Sequence, residues 1–159
     1  MKNVAFLFIV FSFVMSACSS SKSVVKANKN NTTKVDKIVT NALQYKGVSY
    51  KYGGTTRQGM DCSGLIYVAY GSQNVQLPRV SRNMAKAGRK VAVSNVKKGD
   101  LLFFKTNKNS NTINHVGLVV SHKNGQIRFV HASTSRGVIV STLSEKYWKN
   151  AFVKATSIL

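Results

Sequence analysis

The spacing of apolar residues changes once along this chain, from a helical period to a strand period. Apolar residues recur at intervals of three and four between residues 33 and 46, which predicts an amphipathic helix. Beyond residue 90 they alternate or form short runs, which predicts β-strands at 101–105, 113–121, 126–133, 138–142 and 152–158. Helices followed by such strands predict an α+β fold, in which N-terminal helices pack on an antiparallel β-sheet.

Polar residues mark where the predicted helices begin. Thr33, with Asp36 three residues later, forms a capping-box pattern at the start of the first helix. Asp61 is a good N-cap for a second helix. Further helical segments are predicted at 62–70, 81–88 and 147–148, and a polar loop at 55–60. Together these elements fill residues 33–159, a length that suits one catalytic domain with a single core.

The N-terminus carries the pattern of an export signal. A lysine precedes an apolar run at residues 4–15, which is too short for a membrane span because that needs ~20 apolar residues. Small residues and then Cys18 follow, an arrangement that resembles a bacterial lipobox. We therefore predict a lipoprotein signal peptide at 1–17 and a lipidated Cys18 that begins a flexible tether at 18–32. The alternative is an ordinary signal peptide with a cysteine nearby.

The chain is strongly basic, with 24 Lys and Arg against 4 Asp and Glu and a net charge of +20. This balance favours a polyanionic partner, which for an exported bacterial protein means cell-wall polymer, lipid headgroups or lipopolysaccharide. No nucleic acid is predicted as a partner, because the chain carries an export signal and lacks basic residues interleaved with aromatics. The alternative is that the charge serves solubility alone.

Cys62 is the leading candidate for chemistry. Once Cys18 is consumed by processing, Cys62 is a lone thiol, which is a liability in an oxidising compartment unless it has a function. It starts a predicted helix, where partial positive charge lowers a thiol pKa. The N–H groups of Cys62 and Ser63 can also face an oxyanion. The alternative is a buried structural cysteine.

Two histidines in strand-like sequence can complete a triad with Cys62. His115 begins an alternating run and can act as the base, and His131, on the next predicted strand, can hold that base in the correct tautomer. His122 lies in a predicted turn and is expected to face solvent. Zinc is the rival use of these residues, but the close ligand spacings of zinc sites are missing, so no metal is predicted.

Six ordered segments form a pattern that runs through residues 33–158. They are Gly47-Val48-Ser49-Tyr50-Lys51-Tyr52-Gly53-Gly54, Asp61-Cys62-Ser63-Gly64, Leu77-Pro78-Arg79, Gly99-Asp100-Leu101, His115-Val116-Gly117 and His131-Ala132-Ser133. This pattern resembles the NlpC-type cell-wall cysteine peptidases. The resemblance implies a minimal papain-like fold, with Cys62 as nucleophile, His115 as general base and His131 as the orienting third residue.

Other site residues follow from the resemblance. Tyr50 matches a tyrosine that lies beside the nucleophile and stabilises the oxyanion or positions substrate. Residues that match positions near the substrate groove are Asp61, Ser63, Arg79 and Ser81. A cationic Arg79 can pair with a substrate carboxylate, or it can be an ordinary surface charge.

The resemblance implies a peptidoglycan endopeptidase that needs no metal or organic cofactor. We expect it to cut D-Ala–diaminopimelate cross-links between stem peptides. The alternatives are cleavage of the D-γ-Glu–diaminopimelate bond within a stem, or a non-catalytic murein-binding lipoprotein. The expected location is the cell envelope, with a lipid anchor at Cys18 in the outer membrane, facing the periplasm, because Ser19 is not an acidic inner-membrane retention residue.

Overall fold

The first helix follows the capping signal in its sequence. The computed structural model describes residues 32–107 and 109–159. Helix α1, Lys34–Leu43, begins after Thr33, whose side chain accepts a hydrogen bond from the Asp36 N–H while the Asp36 carboxylate accepts one from the Thr33 N–H. The predictions for the signal peptide, Cys18 and the tether up to residue 31 lie outside the described residues. No helix in the described ranges is long and apolar enough to cross a membrane.

A small hairpin replaces the polar loop predicted at 55–60. Its strands are β1, Thr55–Thr56, and β2, Gly59–Met60. Both backbone groups of Met60 are paired outside the hairpin: its N–H donates to the Ser49 carbonyl at 3.0 Å, and its carbonyl accepts from the Lys51 N–H at 3.1 Å. The hairpin is therefore ordered by pairing with a preceding segment, which a local sequence pattern does not reveal.

Two helices come next. Helix α2, Cys62–Gly71, starts after its predicted cap, Asp61, and helix α3, Ser81–Met84, starts at its predicted residue but ends four residues before Gly88. Helix α4, Lys146–Ala151, later fulfils the prediction of a helical turn around Trp148.

The rest of the chain forms one six-stranded sheet. Its strands are β3 (Arg89–Val91), β4 (Leu101–Phe104), β5 (His115–Lys123), β6 (Gln126–Ser133), β7 (Gly137–Thr142) and β8 (Phe152–Ser157). They lie in the order β3-β8-β4-β5-β6-β7, and every neighbouring pair is antiparallel. The α+β prediction, with N-terminal helices and an antiparallel sheet, is confirmed.

The sheet has a hydrophobic core on each face. One core joins α1 and α2 to alternate residues of the central strands, such as Val116, Leu118 and Val130. The other gathers the intervening residues, including Phe104 and Phe129, around Trp148 of α4. This second core was not foreseen.

Strand alternation places both candidate histidines on the second face. In β6, His131 lies two residues from Phe129, and in β5 His115 lies two residues from Gly117. A Cβ atom on Gly117 would overlap the Phe129 ring, so glycine is needed here for that ring to pack against the strand. The close packing beside His115 therefore depends on Gly117 having no side chain.

His122 does not face solvent as predicted. It is half-buried on β5, and its Nδ1 lies 2.7 Å from the Val96 carbonyl. The expected turn does occur, but it begins at Asn124, two residues after His122, because β5 extends to Lys123.

Candidate active site

Cys62 lies at the first turn of α2 and against the start of β5. The thiol is 8% exposed, and its Sγ lies 3.9 Å from the carbonyl oxygen of Asn114. The N–H of Val116 is also directed at this sulfur. Because Asn114 and Val116 flank His115 in sequence, these contacts bring the candidate nucleophile and base together.

Burial raises the pKa of the Cys62 thiol, and the N–H groups of Val116, Ser63 and Cys62 itself oppose that rise. The expectation that the helix start lowers this thiol pKa is therefore wrong for the free protein, because the desolvation of a thiolate outweighs the helix terminus. The same N–H groups of Cys62 and Ser63 can stabilise the negative charge on the oxygen of a carbonyl group that the sulfur attacks.

A line of hydrogen bonds runs from His115 into the protein. Nε2 of His115 lies 3.1 Å from Nδ1 of His131, and Nε2 of His131 lies 3.1 Å from Oγ of Ser141. Since Nε2 of His115 is occupied, Nδ1 is the nitrogen left to exchange a proton with Cys62. The arrangement is that of a nucleophile, a base and a group that orients the base.

Aromatic rings enclose the two histidines. The Trp148 ring stacks on His115 with a centroid separation of 5.3 Å and meets His131 edge-on at 4.5 Å. Phe104 and Phe129 complete the cluster. Burial lowers the pKa of His115 to about 4 and, with the nearby charges of His115 and Arg136, lowers that of His131 to about 3. Both rings are therefore neutral at neutral pH.

Asp61 organises the other side of the nucleophile. Its carboxylate is 6% exposed and accepts from the N–H groups of Gly53 and Gly64 at 2.8 and 2.6 Å. The Arg79 guanidinium binds both carboxylate oxygens at 2.9 Å. Burial would raise the pKa of Asp61, but the hydrogen bonds from Arg79 and Gly64 outweigh it and hold the pKa below its usual value.

The Arg79 guanidinium forms several hydrogen bonds within the protein. Besides Asp61, it donates to Ser63 Oγ at 2.9 Å and to the Gly54 carbonyl at 3.3 Å. Gly64 lies beneath this fork, and a Cβ there would overlap the Gly54 carbonyl. These contacts make Arg79 a residue that holds the Cys62 helix against the Gly53–Gly54 loop and not an ordinary surface charge. Its pairing with a substrate carboxylate stays a prediction.

The remaining predicted site residues surround the thiol. Cys62 opens into a cleft of about 520 Å³ that Tyr50, Ser63, Arg79 and Ser81 also line. Tyr50 is half-buried, and burial together with the charges of Cys62 and Asp61 raises its pKa, so it is a neutral hydrogen-bond donor. The structure thus places six of the eight predicted catalytic and groove residues around one cleft, and His115 and His131 lie outside its lining.

His115 lines a second cleft, of about 310 Å³, together with Arg136, Glu145 and Trp148. The base and the nucleophile therefore open into different clefts. Within residues 32–107 and 109–159, no group of three His, Cys, Asp or Glu side chains is arranged to hold a metal ion.

Sequence reasoning missed three contributors to the site: Ser141, Asn114 and the role of Trp148. Trp148 was predicted only to lie in a short helical segment, whereas it contacts both histidines. The sequence around Trp148 carries no local pattern that predicts contact with the histidines. The same is true of Ser141, a single serine within a strand.

Comparison with known proteins agrees with this geometry. The NlpC/P60 family model matches residues 47–157, which is more than half of the chain. The chain belongs to the NlpC/P60 family. Its NlpC/P60 domain contains every segment on which the predicted resemblance was based, so that prediction is confirmed.

Two curated relatives from Escherichia coli (strain K12) are similar to this NlpC/P60 chain. "Murein DD-endopeptidase MepS/Murein LD-carboxypeptidase" is 38% identical over 124 residues, which cover 77% of this chain but only 62% of the relative. "Probable endopeptidase NlpC" is 34% identical over 155 residues, which cover 96% of this chain and 97% of the relative.

Solved structures share the fold. An NlpC/P60 family protein from Bacillus cereus superposes with a TM-score of 0.72 at 26% identity, covering 80% of this chain and 41% of the other. RipD from Mycobacterium tuberculosis, described as a non-catalytic NlpC/p60 domain protein adapted to peptidoglycan binding, gives a TM-score of 0.64 at 26% identity, covering 80% of this chain and 98% of RipD.

The buried histidines predict that acid destabilises the fold. The unfolded chain gains protons at both histidines below about pH 6.5, whereas the folded protein keeps His115 neutral down to about pH 4. The free energy of unfolding should therefore fall as the pH is lowered from 6.5 to 4, by on the order of 3 kcal/mol for each of the two rings. Urea unfolding at pH 7.5, 5.5 and 4.5 measures this. A His131→Gln variant should show a flatter profile, and an unchanged profile would contradict the assignment.

The contacts of Arg79 predict that Arg79→Lys acts on stability. A lysine has one nitrogen and cannot reach both Asp61 oxygens, Ser63 and the Gly54 carbonyl, so the free energy of unfolding should fall by about 1–3 kcal/mol. Arg82→Lys, at a neighbouring cation of the same cleft, is the control and should be near neutral. If Arg79→Lys instead raises KM for substrate without changing the unfolding free energy, Arg79 binds a substrate carboxylate.

Proposed function

We propose that this chain is a peptidoglycan endopeptidase that uses Cys62, His115 and His131 in a thiol mechanism. The observation that carries the proposal is the contact of the Cys62 thiol with both backbone neighbours of His115, whose ring is held by His131. MepS and NlpC, which are named as endopeptidases, support the same activity.

The geometry defines each step. The Cys62 sulfur attacks the scissile carbonyl carbon while its proton passes to Nδ1 of His115, since burial keeps both groups uncharged beforehand. The oxyanion that forms is stabilised by the N–H groups of Cys62 and Ser63, with the Tyr50 hydroxyl in the same cleft. The C–N bond then breaks, and His115 gives the proton to the leaving amine.

Hydrolysis of the thioester completes the cycle. A water molecule attacks the acyl carbon and gives a proton to Nδ1 of His115. The C–S bond breaks, and the sulfur of Cys62 regains the proton. The His131 ring stays neutral throughout, because its enclosed position disfavours the cation. It stabilises the His115 imidazolium by accepting the Nε2–H.

The second cleft supports the cross-link as the bond that is cut. His115 protonates the leaving amine and lines the second cleft. The leaving residue therefore extends from Cys62 toward this second cleft, which also contains Arg136. In a D-Ala–diaminopimelate cross-link, the carbon that bears the leaving amine also bears a free carboxylate. Arg136 is exposed, and in the described part of the chain it has no recorded hydrogen bond or ion pair, so its guanidinium is available for that carboxylate.

The stem bond is the second candidate for cleavage. In the D-γ-Glu–diaminopimelate bond, the carboxyl next to the leaving amine continues the stem as an amide, so it carries no charge for Arg136 to bind. The "Gamma-DL-glutamyl hydrolase" of Bacillus subtilis, 41% identical over 71% of this chain, favours keeping this alternative, although the match covers only 27% of that relative.

A binding protein without catalysis is the alternative from another class. RipD shows that this fold can be used for binding alone. The net charge of +20 would suit attachment to an anionic wall. The intact line from Cys62 through His115 to His131 favours catalysis in this chain.

Purified sacculi test the function directly. Residues 32–159, incubated with sacculi, should convert cross-linked dimers into monomers, which mass spectrometry identifies. Cys62→Ala should release none, because the C–S bond cannot form. Shortened stems would move the cut to the D-γ-Glu bond, and sacculus binding with no product that depends on Cys62 would favour the binding protein.

We also propose that Cys18 is lipidated after removal of residues 1–17, and that residues 18–32 tether the domain to the outer membrane on its periplasmic side. The lipobox-like order of small residues before Cys18 supports this. Cys18→Ala should move the full chain from the membrane fraction to the soluble envelope fraction. Retention of the variant in the membrane would contradict lipid anchoring.

A further inference from the structure

Ser141 ends the line of hydrogen bonds that starts at His115. Its side chain is on β7 opposite Phe129, on the same sheet face as His131, and it is 4% exposed. Its Oγ lies 3.1 Å from Nε2 of His131, the one partner recorded for this hydroxyl among the described residues. His131 itself is fully buried, and its other nitrogen faces His115.

We propose that Ser141 is a positioning residue of the hydrolytic reaction. It accepts the Nε2–H of His131, sets the tautomers of both histidines, and so leaves Nδ1 of His115 free to take the proton of Cys62.

A neutral imidazole carries a single proton on its two nitrogens. Such a ring has one N–H donor and one lone pair. If Nε2 of His131 donates to Ser141, Nδ1 of His131 must accept, and Nε2 of His115 must be its donor. The lone pair of His115 then lies on Nδ1, where a base for Cys62 needs it. If His131 accepted from Ser141 instead, every donor in the line would reverse.

The reaction itself selects the first of these directions. When His115 takes the proton of Cys62, both of its nitrogens become donors, and His131 must offer the lone pair of Nδ1. The proton of His131 is then on Nε2, where Ser141 is the available acceptor. The neighbouring groups are the rings of Trp148 and Phe129, which offer no lone pair in its place. A serine fits because its hydroxyl can accept without carrying charge into the core.

Threonine and valine give a matched test, since they share a shape and differ in the hydroxyl. In Ser141→Val, an Nε2–H on His131 would be buried without a partner, so the proton should move to Nδ1. Nitrogen-15 NMR of the imidazoles reports this tautomer directly. The wild type and Ser141→Thr should show His131 protonated on Nε2, and Ser141→Val should not. The kcat on sacculi should fall about tenfold or more in Ser141→Val and recover in Ser141→Thr, as for other groups that orient a catalytic side chain.

Thr142→Val, on the same strand, is the control for a polar-to-apolar change and should leave both tautomer and kcat unchanged. The proposal is overturned if wild-type His131 carries its proton on Nδ1, if Ser141→Val keeps the wild-type tautomer and kcat, or if Ser141→Thr and Ser141→Val lose kcat equally. The rate measurement rests on the proposed function, whereas the tautomer measurement does not. Expected tautomers without hydrolysis of sacculi would therefore count against the function alone.

Discussion

One nearly buried carboxylate fixes the position of the nucleophile. Asp61 accepts from Arg79, from the Gly53 N–H and from the Gly64 N–H, and it also caps the helix that Cys62 begins. A carboxylate taken out of water is costly unless its oxygens are satisfied, and here each oxygen has at least two donors. Asp61 therefore joins the start of α2, the Gly53–Gly54 loop and Arg79 into one unit. The position of the Cys62 thiol depends on that unit.

The base is held by a different part of the structure. Cys62 belongs to the core between the helices and the sheet, whereas His115 belongs to the aromatic core on the opposite face. The two meet where β5 begins, because Asn114 and Val116 place the strand backbone against the sulfur. The distance between nucleophile and base thus depends on the packing of α2 against β5 and not on one loop.

Local signals predicted most of the fold, and tertiary contacts explain what they missed. The caps at Thr33 and Asp61 act within four residues, so both helices start where the sequence indicates. Arg79 is 18 residues from its carboxylate, and no local pattern specifies that pairing. The direction of the Cys62 pKa was missed for a related reason, since the helix terminus is local but burial comes from the assembled fold.

Burial also explains why a histidine suits the third position. His131 is fully enclosed by Trp148, Phe129 and neighbouring strands, so a carboxylate there would lose its hydration with few donors to replace it. The neutral imidazole of His131 orients His115 through one hydrogen bond. Its remaining N–H donates to the neutral hydroxyl of Ser141. The aromatic core that holds His115 in place is apolar, so the groups that orient His115, which are His131 and Ser141, stay uncharged. During attack, charge develops only on His115 and on the oxyanion of the substrate, at the boundary between this core and the open cleft.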